Sequence, residues 1–101
     1  MEIKFTGAGK IQTITIPDDM LFRGNLDLSN MGLTELPDLS AVTVTGHFIC
    51  CANQLTSLQG APQSVGGSFY CDNNKLTSLQ GAPQSLGGDF DCQMAASGAK
   101  A

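Results

Sequence analysis

The sequence predicts a mainly β fold, a short solenoid in which each coil of 21–22 residues adds one parallel strand, closed at its start by a β cap. Three observations predict it. The chain repeats itself at a fixed interval. Apolar residues alternate within each repeat. Proline and glycine interrupt every stretch that could become a helix.

The repeat carries most of the weight. Residues 46–66 read GHFICCANQLTSLQGAPQSVG and residues 67–87 read GSFYCDNNKLTSLQGAPQSLG, identical at 15 of 21 positions without a gap. A further copy opens as GDFDC at Gly88 and then stops matching. A diverged earlier copy, GNLDLSNMGLTEL, starts at Gly24 with a spacing of 22. Leu26, Phe48, Phe69 and Phe90 are therefore equivalent. So are Leu28, Cys50, Cys71 and Cys92, then Leu33, Leu55 and Leu76, then Leu36, Leu58 and Leu79.

A unit this short cannot bury its own apolar face and must stack on its neighbours. Phe-x-Cys is a period-two pair, which reads as a short strand with both residues pointing inward. Leu-Thr-Ser-Leu turns the chain away, and Gly-Ala-Pro with the Gly-Gly pair brings it back. Successive strands then lie about 4.8 Å apart. Pro17, Pro37, Pro62 and Pro83 break any helical run. At most, residues 62–65 and 83–86 are expected to form a single tight turn.

The order apolar-x-apolar-x-x-Asn-x-Leu appears as Phe48-x-Cys50-x-x-Asn53-x-Leu55 and as Phe69-x-Cys71-x-x-Asn74-x-Leu76. It resembles the signature of the leucine-rich repeat. Leu-Thr-Ser-Leu followed by a proline is similar to the bacterial and phage subclass, found in secreted ubiquitin-ligase effectors and in small phage and prophage proteins. The resemblance implies a right-handed leucine-rich-repeat solenoid that binds protein. It spans residues 24–92 and is specific over 46–92. Two departures stand out: one residue more than the usual effector repeat, near the Gly-Gly pair, and Met31 in place of the asparagine in the first copy. The ligase domain of those effectors, which holds their catalytic cysteine, has no counterpart here. Asn53 and Asn74 are expected to stack as a ladder that satisfies backbone groups inside the turn.

A stack of coils exposes core side chains and strand edges at both ends unless capped. Residues 1–23 supply a cap at the first end, two strands over 2–6 and 10–17 joined at Gly7-Ala8-Gly9, with Ile14 and Ile16 alternating with threonines. Residues 24–93 form the solenoid, three coils and part of a fourth, and 94–101 a flexible tail. After Cys92 the repeat calls for Asn and Leu, but Ala95 and Ser97 stand there. Three readings are open: a bare frayed edge, a fragment of a longer array, or pairing of the Phe90–Cys92 strand with a second copy. Self-association or partner binding at this edge, Phe90 and Cys92, is the expectation carried forward.

Composition narrows the function. Hydrophobic residues at 42% suffice for a core, while charged residues at 14% fall well below the roughly 25% of an average domain. The surface must therefore be built largely from small polar residues. Net charge is −4, and the five basic residues are scattered at Lys4, Lys10, Arg23, Lys75 and Lys100. That is too few for a phosphate-tracking surface, so neither nucleic acid nor an anionic membrane is expected as partner. No run approaches the ~20 apolar residues of a membrane helix. Residues 1–4 do not begin a signal peptide, and a cytoplasmic location in a bacterial host cell is expected.

No catalytic, cofactor-binding or metal-binding residues are predicted. Cys50, Cys71 and Cys92 are expected as a stack of reduced thiols in the core. A disulfide between neighbours is within reach by distance but disfavoured by dihedral geometry and compartment. No Cys-x-x-Cys or His/Cys spacing suits zinc. Cys51 alternates outward and shares a face with His47, the only histidine. Four residues of strand put them about 13 Å apart, far beyond the ~3 Å a base needs. Asp27, Asp72, Asp89 and Asp91 read as a solvated acidic face without a calcium-ligand phrase. Gly66-Gly67 and Gly87-Gly88 recur with the repeat and lack the helix and lysine of a phosphate loop.

What remains is the outward side of the strand ladder. Its rows are Asn25, Asp27 and Ser29; His47, Ile49 and Cys51; Ser68, Tyr70 and Asp72; Asp89, Asp91 and Gln93. The predicted protein-binding residues are His47, Ile49, Cys51, Ser68, Tyr70, Asp72, Asp89 and Asp91, with Ile49 and Tyr70 as an apolar centre inside a polar rim. The leading expectation is a non-enzymatic protein-binding module. The resemblance to phage proteins sharpens it to a phage-encoded inhibitor docking on a host defence protein. The alternative is a structural or truncated repeat fragment of a larger effector or array, homodimeric through its C-terminal edge.

Overall fold

In the computed structural model, residues 2–91 are described. They form a β-solenoid of about three turns with parallel strands about 21 residues apart, and no helix occurs among them. Cys92, Gln93, the tail from 94 to 101 and the substitutions at Ala95 and Ser97 lie outside the described residues.

The chain opens with an antiparallel hairpin, β1 (Glu2–Gly7) and β2 (Lys10–Thr15), in the register Gly7↔Lys10 to Glu2↔Thr15. The expected three-residue connection tightens to two residues. Ala8 and Gly9 both carry positive φ, 52° and 76°, the backbone of the two-residue turn that matches strand twist.

Eight two-residue strands follow, arranged in two parallel ladders. The first contains β4 (Leu26–Asp27), β6 (Phe48–Ile49), β8 (Phe69–Tyr70) and β10 (Phe90–Asp91), in register Leu26↔Phe48↔Phe69↔Phe90. These are the equivalences of the repeat. The second ladder contains β3 (Leu21–Phe22), β5 (Thr43–Val44), β7 (Ser64–Val65) and β9 (Ser85–Leu86). Each coil thus carries two short strands rather than the single one expected. Residues 64–65 and 85–86 are extended and paired, not part of a tight turn. The Pro62 and Pro83 rings fix the entry to these strands, and the Val or Leu that follows points into the core.

The core fills the space between the ladders. Phe48, Phe69, Cys50, Leu55, Leu58, Val44 and Leu33 are fully buried or nearly so. The phenylalanine rings form one row, with centroids 5.1 Å apart for Phe48–Phe69 and 5.3 Å for Phe69–Phe90. Their tilts of 37° and 38° are offset contacts that aromatic pairs favour over a face-to-face sandwich. The inward cysteines are not uniform. Cys50 is a free buried thiol, and burial pushes its pKa up. Cys71, by contrast, is disulfide-bonded, which corrects the expected stack of reduced thiols.

The Gly-Gly pairs serve close approach. A Cβ on Gly66 would stand 2.5 Å from the Thr45 carbonyl oxygen, yet its φ is ordinary. The Gly66 N–H donates to the Val44 carbonyl at 2.7 Å, a distance that any side chain facing the previous coil would disturb. Backbone strain sits elsewhere, at equivalent positions one turn apart: Asn30, Ala52 and Asn73 have φ of 57°, 56° and 59°. There the chain leaves the first ladder through a left-handed residue. Asparagine tolerates that conformation; alanine does so at about 1–2 kcal/mol. Ala52→Asn is therefore expected to stabilise the fold by about 0.5–1 kcal/mol, read as a higher denaturant midpoint at unchanged slope.

The two ends differ. The hairpin packs Ile3, Phe5, Ile14 and Ile16 onto the core cluster. Its Gly7 lies so close to the first coil that a Cβ would stand 2.7 Å from the Met31 carbonyl oxygen. Leu26, Leu28 and Leu33 of that first coil are accordingly buried. At the other end Leu79, Leu86 and Phe90 are only half-buried, although Leu58, Val65 and Phe69, their equivalents one coil earlier, are fully enclosed.

Candidate protein-binding face

Three columns of side chains run across the first ladder on its outward side. The middle column is Asp27, Ile49, Tyr70 and Asp91, in direct register. Ile49 and Tyr70 are half-buried neighbours, and the carboxylates that flank them are exposed. The His47 ring lies 5.8 Å from the Tyr70 ring at 60°. Three of the predicted residues thus form one aromatic and aliphatic patch, with Asp27 and Asp91 at its ends.

The left column is a relay that sequence reasoning did not anticipate. Asn25 Oδ1 accepts the His47 N–H at 2.8 Å, His47 Nδ1 accepts the Ser68 N–H at 2.8 Å, and Ser68 Oγ accepts the Asp89 N–H at 3.0 Å. In each step the side chain of one coil receives the amide of the next. The bond to Nδ1 places the His47 proton on Nε2, which is the tautomer available to a partner. Ser68 is spent in this relay and is only 8% exposed, so it contributes little surface to the predicted face. The signal was available: the residue before the inward Leu26, Phe48, Phe69 or Phe90 is Asn, His, Ser and Asp in turn, each with a side-chain acceptor.

The right column holds Ser29, Cys51 and Asp72, all half-buried. The Cys51 thiol donates to Asp72 Oδ1 at 3.4 Å. Burial, and then that hydrogen bond to the carboxylate, push its pKa to about 11. At neutral pH it is a protonated thiol and a poor nucleophile. Asp27 is the opposite case. The Ser29 hydroxyl and amide both donate to it, the amide at 2.9 Å, and hold its pKa below the ordinary carboxylate value. It stays ionised at the end of the patch.

Among the described residues no group of three or more His, Cys, Asp or Glu side chains could hold a metal ion, and no helix is long and apolar enough to cross a membrane. A groove of about 560 Å³ lies away from this face and is lined by Thr34, Glu35, Asp38, Thr56, Gln59 and Gln63 among others. It contains no aromatic side chain, so the apolar centre belongs to the ladder face.

What the fold and this face define is a short β-solenoid with a parallel strand ladder displaying an aromatic patch. No protein-family model matches the chain, and no curated protein or solved structure matches it.

Proposed function

We propose that the chain is a non-enzymatic protein-binding module of leucine-rich-repeat type that docks through the outward face of its first ladder. The observation that supports this best is the register of Ile49 against Tyr70, with His47 beside Tyr70 and Asp27 and Asp91 at either end. Such a patch offers apolar area at its centre and charge at its rim, the division of labour found in protein hot spots. The relay holds the His47 ring in place before a partner arrives, which lowers the entropy lost on binding. The four aspartates of the face, Asp27, Asp72, Asp89 and Asp91, favour a basic partner surface. By its resemblance to phage repeat proteins, the partner class is a host protein of the bacterial cytoplasm, and inhibition of a defence protein is the sharpest form of the reading. The thiol of Cys51 and the occupied Nδ1 of His47 are unsuited to nucleophilic chemistry, in keeping with a binding role.

Tyr70→Ala is the direct test. Immobilised wild type is expected to retain one specific protein from host lysate, and the variant to lose it by about tenfold or more. Ile11→Ala, at an exposed site on the hairpin, is expected to retain it fully. Equal retention by all three proteins, or by none, removes this face as the binding site.

A further inference from the structure

We propose that the outer edge of β2 is a self-association surface, at which two copies of the chain pair antiparallel about a twofold axis at Thr13 and join their hairpins into one four-stranded sheet.

The hairpin register decides which backbone groups face outward. Gly7 and Lys10 flank the two-residue turn and exchange both hydrogen bonds, and bonded pairs recur at Phe5↔Gln12 and Ile3↔Ile14. The residues between them on β2, Ile11, Thr13 and Thr15, therefore turn their amides and carbonyls away from β1. Among the described residues none takes up these groups. All three residues are exposed, Ile11 at 76%.

Sheet edges are ordinarily kept from pairing by charge, proline, a bulge or a covering segment. From Ile11 to Thr15, β2 has none of the first three: the run Ile-Gln-Thr-Ile-Thr is uncharged, free of proline and regular in its pairing with β1. The β1 edge differs. Glu2 and Lys4 stand on it, exposed. Lys4, Phe5 and Thr6 also face the segment from Thr34 to Asp38 across a groove of about 470 Å³, which no β2 residue lines.

A second copy is the occupant that this edge fits. Setting Thr13 opposite Thr13 places Ile11 opposite Thr15 and Thr15 opposite Ile11, so every outward group of one copy meets one of the other. A slip of one residue sets those groups against groups already bonded inside the hairpin. A slip of two loses a bonded pair. The side chains agree with this register. Threonine meets threonine at the axis and isoleucine meets threonine on either side, cross-strand pairs without like charges. Beyond the strand, Lys10 of each copy points toward the Asp18-Asp19 pair that follows β2 in the other, so unlike charges approach. The twofold consumes the β2 edge of both copies and leaves the charged β1 edges outermost, so assembly stops at two. The backbone supplies the bonds, and Ile11→Ala retains them.

Sedimentation velocity of the full chain from about 10 µM to about 1 mM tests this. A monomer–dimer equilibrium with a dissociation constant on the order of 100 µM is expected, in the range of small, weak interfaces. Thr13→Lys, which sets like charges face to face at the axis, is expected to weaken it tenfold or more. Lys4→Thr, on the other edge, is expected to leave it unchanged. Circular dichroism establishes that each variant is folded. Amide exchange locates the contact without any substitution: Ile11, Thr13 and Thr15 should gain protection as concentration rises, while Lys4 and Thr6 should not. A strict monomer at 1 mM overturns the proposal. So does a dimer in which those three amides stay unprotected, or one that Thr13→Lys leaves intact, since another surface would then hold the copies together.

Discussion

Replacing Phe69 with alanine is expected to cost about 3–5 kcal/mol of stability. The ring is fully buried and stands between Phe48 and Phe90, so its loss opens a cavity with aromatic contacts severed on both sides. In a solenoid each coil is held chiefly by its two neighbours. Removing the middle ring therefore weakens two coil interfaces at once. Small domains have only about 5–15 kcal/mol in total, so the variant should be partly unfolded at room temperature or unfold in two steps, with the coils after residue 67 lost first. Urea titration followed by far-ultraviolet circular dichroism checks this. Phe90→Ala is the internal comparison. Phe90 is half-buried and touches one phenylalanine, so the expected loss is smaller, about 1–2 kcal/mol. Equal losses at the two positions would mean that the row is not continuous.

Asn53→Ala is expected to cost about 2–4 kcal/mol. The side chain is 6% exposed. Its Oδ1 accepts the amides of Met31 and Leu33 at 2.9 and 3.0 Å. Its Nδ2 donates to the carbonyls of Leu28, Cys50 and Cys51 at 2.9, 3.1 and 3.2 Å. Truncation strands two amides and uncovers three carbonyls, and the full penalty of an unmade buried bond applies to whichever of them water cannot reach. Amide exchange gives a specific readout: Met31 and Leu33 should lose protection beyond what the global loss explains. Asn74→Ala should cost less. Among the described residues Asn74 Oδ1 is bonded to one amide, that of Leu55 at 3.1 Å. Asn53→Asp should be at least as damaging as Asn53→Ala, because a carboxylate would face the carbonyls that the amide group now serves.

Much of this could be read from the residues. The spacing of Phe48, Phe69 and Phe90 predicted a shared row, and the ring centroids form one. The asparagine ladder was legible because a polar residue recurring in phase with buried apolar ones must be satisfied by backbone. The middle column Asp27, Ile49, Tyr70 and Asp91 followed from period-two alternation alone. The second ladder was not legible. Thr43–Val44, Ser64–Val65 and Ser85–Leu86 are each too short to show alternation, and their neighbouring prolines and glycines read as turns. Their pairing comes from the coil above and the coil below, a cooperation that no single window of sequence displays. The burial of Ser68 was missed for a related reason: its hydroxyl serves the Asp89 amide one coil away, and nothing among the residue's own neighbours in the chain shows that.

The sequence by itself determined the period, the stacking and the identity of the inward rows, because a 21-residue unit with fixed apolar positions has no other way to hide them from water. Only the tertiary structure decided which outward residues are free to meet a partner and which are committed to the next coil. Backbone amides and carbonyls are the same at every residue and leave no mark in the sequence. Which of them finds a mate, and which side chain is drawn in to serve one, is settled when two coils come within hydrogen-bonding distance.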